Sequence, residues 1–226
     1  MPLSISTNVA SMAAQRSFMT SNSALETAFE RLSSGKRINS SVDDAAGLAI
    51  GKDMESRVSG LNQAIRNTND GISMVQIAEG AMDEATNILQ RMRDLAVQAA
   101  NDSLATAERD YLETETDKLI AAFDAALDQA TFNGKDLIDT NANVGLTFQV
   151  GADNGDVLAV QIDSLSAAQL TVADSNIVLT SAATASTAIS RIDTALGVIY
   201  SDRASLGAIQ AQMESTVRNL SNVAEN

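Results

Sequence analysis

The side chains able to do chemistry form a narrow set, because this 226-residue chain has no His, no Cys and no Trp. Imidazole acid–base work, thiol nucleophiles, disulfides and the usual zinc or iron sites are therefore out of reach. Carboxylates, hydroxyls and lysines remain, and three clusters bring them together. Asp43 and Asp44 could pair as acid and base or hold a metal. Neighbours on a helix point about 100° apart, however, and no third ligand accompanies them, so they read as a helix cap. Asp153-Asn154-Gly155-Asp156 has the composition of a calcium loop but lacks its roughly twelve-residue spacing and closing Glu, and reads as a turn. Ser33-Ser34-Gly35-Lys36 lacks the upstream glycine and preceding strand of a phosphate loop. We expect no catalytic residue, no metal, no cofactor and no enzyme activity.

A fourth constellation is suited to binding. Arg91, Leu95 and Gln98 share one face of a helix at i, i+4 and i+7, beside the main apolar seam. Two readings stand side by side. Exposed, they make an amphipathic contact patch anchored by an arginine. Otherwise Leu95 widens the core stripe and Arg91 pairs with Glu84 or Asp94.

The elements that must position these residues are long helices, since the only proline is Pro2. A first helix is predicted over residues 4–33, with apolar Ile5, Val9, Met12, Leu25, Phe29 and Leu32, ending at Ser33-Ser34-Gly35. Leu61, Ile65, Thr68, Ile72, Val75, Ala78, Met82, Ala85, Leu89, Met92, Ala96 and Ala99 recur at steps of four and three. This is a coiled-coil stripe, with one extra three-step from Val75 to Ala78. Asn101-Asp102-Ser103 interrupts it, and a further helix covers about residues 105–129. Ile192, Leu196, Ile199, Leu206, Met213, Val217, Leu220 and Ala224 repeat the seam near the other end, with Arg203 and Gln210 as polar register devices. Between them, alternating Leu146, Phe148, Val150 and Leu158, Val160, Ile162 flank an Asn-Gly turn and predict a hairpin, with a second turn at 131–135. The expected fold is mainly α: a long antiparallel helical bundle with a small β-hairpin region at one end. Ile72, Leu89, Met92, Leu196, Ile199 and Leu206 are expected in its core.

Charge is unevenly distributed. Residues 1–60 hold six basic and six acidic side chains, while residues 61–226 hold 9 and 23 and so carry the entire net charge of −14. That balance excludes nucleic acid as a partner. A neutral, Ser/Ala-rich end suits packing against copies of itself. No stretch approaches the apolar length of a membrane span, so no membrane insertion is expected, and no cleavable signal peptide opens the chain. Composition alone suggests a cytosolic protein.

Specific motifs change that expectation. Residues 30–40 (ERLSSGKRINS), 43–50 (DDAAGLAI), 66–73 (RNTNDGIS), 90–98 (QRMRDLAVQ) and 131–134 (TFNG) resemble the N-terminal signature of bacterial flagellins. Residues 186–226 resemble the C-terminal helix that returns to pair with it. The resemblance implies residues 1–42 as an inner-core helix and linker, 43–140 as the N-terminal half of a helical rod, 141–181 as a small β region, and 182–226 as the rod's C-terminal helix. It implies a structural subunit of the flagellar filament, exported unfolded by a type III apparatus and extracellular in the filament. Its partners would be other flagellin subunits and the export and capping machinery. Assembly would run through Ile5, Val9, Leu25, Phe29 and Leu32. Arg91, Leu95 and Glu115 match positions read by the animal Toll-like flagellin receptor, with Leu89, Gln90 and Gln98 around them. Flagellins continue past the position of Asn226 into a final helix, so a shortened chain is expected. The alternatives are a hook–filament junction protein, or a truncated flagellin acting only as an innate-immune receptor ligand; a protease insert of the zinc type is excluded by the lack of His.

Overall fold

Helix-forming residues run unbroken by proline from Ala45 to Ala99, and in the computed structural model they form one helix of 55 residues. The structure describes residues 8–139 and 142–226, so Ile5 lies outside the described residues. We label Val9–Ser34 α1, Ala45–Ala99 α2, Thr106–Asp128 α3 and Ala182–Glu225 α4. Between α3 and α4 come β1 (Thr131–Phe132), β2 (Lys135–Asp136), β3 (Val144–Gln149) and β4 (Val157–Ile162). The mainly helical architecture with a small antiparallel hairpin is as expected. The chain divides into two compact units, one ending at Ser59 and the other spanning Gly60–Asn226.

In the first unit, α1 ends where Gly35 adopts a left-handed φ of 66°, a conformation glycine reaches without steric cost. Asp44 caps α2 by accepting from the Gly47 amide at 2.9 Å. Asp43 acts differently. Its carboxylate accepts from the Asn39 and Ser40 amides and from Arg31, closing the connection between the helices. Those amide hydrogen bonds, and then Arg31, hold its pKa below the ordinary carboxylate value.

The second unit is built on α2. Arg93 meets Asp193 at 2.7 Å, and Asp83 meets Arg203 at 3.0 Å. Ten residues forward on α4 thus match ten residues back on α2, so the two helices are antiparallel. Helix α3 doubles back on α2 as well: Arg91 bridges to Glu115, and Arg109 donates to the Ala99 carbonyl at the end of α2 and to the Asn101 carbonyl just beyond it. The seam from Val75 to Ala99 is buried at every expected position, as are Ile192, Leu196, Ile199, Leu206 and Met213. Ile72 is a correction. It is half-buried, as are Leu61 and Ile65, while Ala64 and Gly71 are buried on that stretch along with the expected Thr68. The reason is the hairpin: a methyl added at Gly71 would stand 3.0 Å from Met213 Cε and 3.2 Å from Phe148 Cδ1, so three elements converge where only glycine fits easily. Buried Thr68 and Thr86 satisfy their hydroxyls on the carbonyls four residues back.

Strands β3 and β4 pair antiparallel, with Val144 opposite Ile162 and Gln149 opposite Val157. The short β1–β2 pair turns through Asn133 and Gly134, both at positive φ (51° and 74°), as a two-residue hairpin loop requires. Residues 163–181 contain no strand or helix, yet bury Leu165, Leu170, Val172, Ile177 and Leu179.

Candidate assembly and recognition surfaces

Two surfaces could carry function, and they differ in kind. The first is α1. None of its residues is buried, and its large apolar side chains point into solvent: Val9 is 74% exposed, Phe29 62% and Leu32 81%, with Met12, Phe18, Met19 and Leu25 alongside. An isolated helix gains little from propensity alone and needs an apolar face covered. The expected residues Val9, Leu25, Phe29 and Leu32 all lie on this exposed helix. Sequence reading missed a second row in the same unit. Ile50, Met54 and Val58, spaced by four on α2, are exposed too. The four-residue spacing is visible in the sequence, upstream of the heptad seam that begins at Leu61.

The second surface lies on α2 and α3. Arg91 bonds to Glu115 Oε1 through Nε at 3.2 Å and Nη2 at 2.7 Å. Both side chains are about half exposed, so the pair positions more than it stabilises. Gln90 and Gln98 are exposed, and Gln90 donates to the Tyr200 hydroxyl at 3.4 Å. Of the candidate recognition residues, Leu89 lies in the core seam where it was expected, and Leu95 follows the core reading of the two that the sequence leaves open. Leu89 is completely buried and Leu95 is 2% exposed. Leu95 is thus on the buried side, and Arg91 turns to Glu115 on α3 rather than to Glu84 or Asp94. What remains outside is polar, apart from Val97 and Tyr111, which is 76% exposed and sits one turn before Glu115.

Acidic groups crowd α3. Burial, then the neighbouring carboxylates, raise the pKa values of Glu113 and Asp117. Among the described residues no group of three or more acidic side chains is arranged to hold a metal, and no helix is long and apolar enough to cross a membrane.

Helices that keep their core on one unit and leave another helix bare describe a subunit of a larger assembly. The fold is that of flagellar proteins. A Bacillus cereus flagellin structure superposes with a TM-score of 0.57 at 28% identity, covering 69% of this chain and 88% of that one. A Vibrio parahaemolyticus chain described as flagellar hook-associated reaches 0.66 at 15% identity, over 81% of this chain, which shows a shared fold only. The fold therefore does not separate filament subunits from junction proteins; sequence does. The bacterial flagellin N-terminal helical region matches residues 5–143. A flagellin of Halalkalibacterium halodurans is 38% identical over 98% of this chain and 81% of its own length. A flagellar filament core protein of Treponema phagedenis is 35% identical over 98% and 82%. Polar flagellin F of Vibrio parahaemolyticus is 45% identical, but the match spans 44% of that longer protein. The chain belongs to the bacterial flagellin family and is a structural subunit of the flagellar filament.

Proposed function

We propose that this subunit joins its neighbours in the filament through the bare apolar residues of α1, with Val9, Leu25, Phe29 and Leu32 as the anchors and Ile5, outside the described residues, as a fifth. One observation carries this reading. A helix of 26 residues buries none of them, while its apolar side chains face solvent. Exposed apolar surface on that scale marks an interaction site, and like copies supply a self-complementary cover. The neutral charge of residues 1–60 removes the repulsion that the acidic remainder would impose on close packing. In this reading the subunit does no enzymatic work. It is exported unfolded by the flagellar apparatus, is added beneath the capping machinery and functions outside the cell.

The exposed Arg91–Glu115 pair, with Gln90 and Gln98, is the part of the second surface that a Toll-like flagellin receptor would touch. Leu89 and Leu95 are buried, so a receptor would not reach them directly. Negative-stain microscopy of purified subunits tests the assembly proposal. Leu25→Asp with Phe29→Asp should abolish regular filaments while the Gly60–Asn226 unit keeps its melting transition. Long regular filaments from that double variant would refute it.

A further inference from the structure

The hairpin is seated on α4 by a contact that contains a chemical inconsistency. A cleft of about 250 Å³ opens between β4 and α4, lined by Gln161, Ile162 and Asp163 on one side and by Asp202, Ser205 and Leu206 on the other. Asp202 Oδ2 is closed off from solvent and has no hydrogen-bond partner among the described residues. An ionised oxygen in that position lacks both water and a donor, which is costly. Across the cleft stands a second carboxylate. Asp163 Oδ1 accepts from Asn143 Nδ2 at 3.1 Å and from Gln161 Nε2 at 3.5 Å, so it is held in place and keeps acceptor capacity to spare.

The neighbouring charges offer no relief. On α4 the adjacent Arg203 is committed to α2, bonding to Asp83 at 3.0 Å and approaching Glu79 at 3.9 Å. Strand β3 contains no charged residue, and β4 itself carries none before Asp163. From every element packed here, the group facing Asp202 is therefore another acid.

We propose that Asp202 is a proton-operated latch that seats the β3–β4 hairpin on α4. Protonated, its carboxyl needs no counter-charge and can donate to Asp163, closing the cleft. Ionised, it repels Asp163 and must draw water in, which loosens β4. The step is a simple proton exchange with solvent; no other group is consumed. Burial and then Asp163 raise the pKa of Asp202, in agreement with this geometry. The sign follows from that direction. The folded form binds the proton more tightly than the unfolded chain, so the seat is firmest below the unfolded-state pKa. It weakens as pH rises through the higher folded-state value. What the latch controls is access to the apolar side of the hairpin, where Leu146, Val160 and Ile162 are buried.

The test uses the full chain and its Asp202→Asn variant, whose amide copies the shape and donor of the protonated acid. Thermal unfolding is followed by circular dichroism, and amide hydrogen exchange is compared between the two proteins at each pH. At about pH 7 the variant should melt higher than the parent, and its β4 amides should exchange more slowly while those of α2 stay unchanged. Both differences should shrink toward about pH 4, as the parent Asp202 takes up its own proton. Asp163→Asn supplies an independent variant and should give the same pattern. A lower melting temperature for Asp202→Asn at about pH 7, or unchanged β4 exchange in both variants, would overturn the latch.

Discussion

Truncating Leu89 to alanine tests the bundle at its centre. Leu89 is wholly buried, on the part of α2 that the ion pairs set opposite residues 196–199 of α4. The deleted carbons cost about 2 kcal/mol in lost transfer free energy. The cavity adds to this according to how far neighbours can collapse, and measured Leu→Ala costs reach about 5 kcal/mol. Met82 and Met92, both buried nearby on α2, are unbranched and can partly refill the space, which favours the middle of that span. For a folding unit of this size each kcal/mol lowers the melting temperature by about 2–4 °C. The expected drop is therefore on the order of 10 °C, read from the circular-dichroism melt of the dilute subunit. Leu32→Ala is the matched control. Leu32 is 81% exposed, so the same chemical change should move stability by no more than about 0.5 kcal/mol. If the two variants melt together, Leu89 is not core, and the assignment of one face to folding and another to assembly is wrong.

Other expectations are equally direct. Gly80→Ala should raise stability by roughly 0.5–1 kcal/mol, since its site is helical and a methyl there meets nothing within 4 Å. Gly71→Ala should lack that gain, because its methyl presses on Met213 and Phe148; equal gains at both sites in urea melts would contradict the close packing described for Gly71. Arg91→Ala should leave the melting curve within about 0.5 kcal/mol of the parent, and receptor-reporter cells should respond less to it; an undiminished response removes Arg91 from the recognition surface. Asp43 has its folded pKa lowered, so the structure it supports between α1 and α2 is fully present above the unfolded value and is lost as pH falls through the folded one. Acid titration of the Ser40 amide by nuclear magnetic resonance, with Asp43→Asn as the comparison, should show that loss.

The helices and their register were legible in the sequence because one physical signal, a seam of apolar residues, dominates them. From Val75 to Ala99 every position of the stripe is buried, and Arg203, picked out as a polar exception, bridges to α2. The misreadings arise where a third element intrudes. Periodicity records that a face is covered but not by how many partners, so beside the seam Leu95 fits surface and core equally, and only the fold shows it buried. Ile72 gave up its central place to Gly71 because Phe148, far away in sequence, packs there. Residues 163–181 bury their apolar side chains without any repeat, and so left no pattern to read. The tie from the Ala167 amide to Asp124 Oδ1 spans 43 positions, and no local rule anticipates it. For the same reason the apolar residues of α1 stand out in the sequence as a stripe, while the acid pair at Asp163 and Asp202, brought together only by the fold, does not.

The two ion pairs between α2 and α4 have opposite polarity: in one the arginine belongs to α2, in the other to α4. Slide α4 by ten positions, roughly three turns, and the arrangement fails in either direction. One slip sets Arg93 against Arg203; the reverse slip sets Asp83 against Asp193. An Ala-rich seam with a repeating step is poorly equipped to tell such alignments apart, since many offsets bury similar surface. Each bridge is partly exposed and adds little to the depth of the native state. Together they spell a short asymmetric code that is satisfied at the native offset and repelled at these two, so their value lies in the misfolded helices they reject.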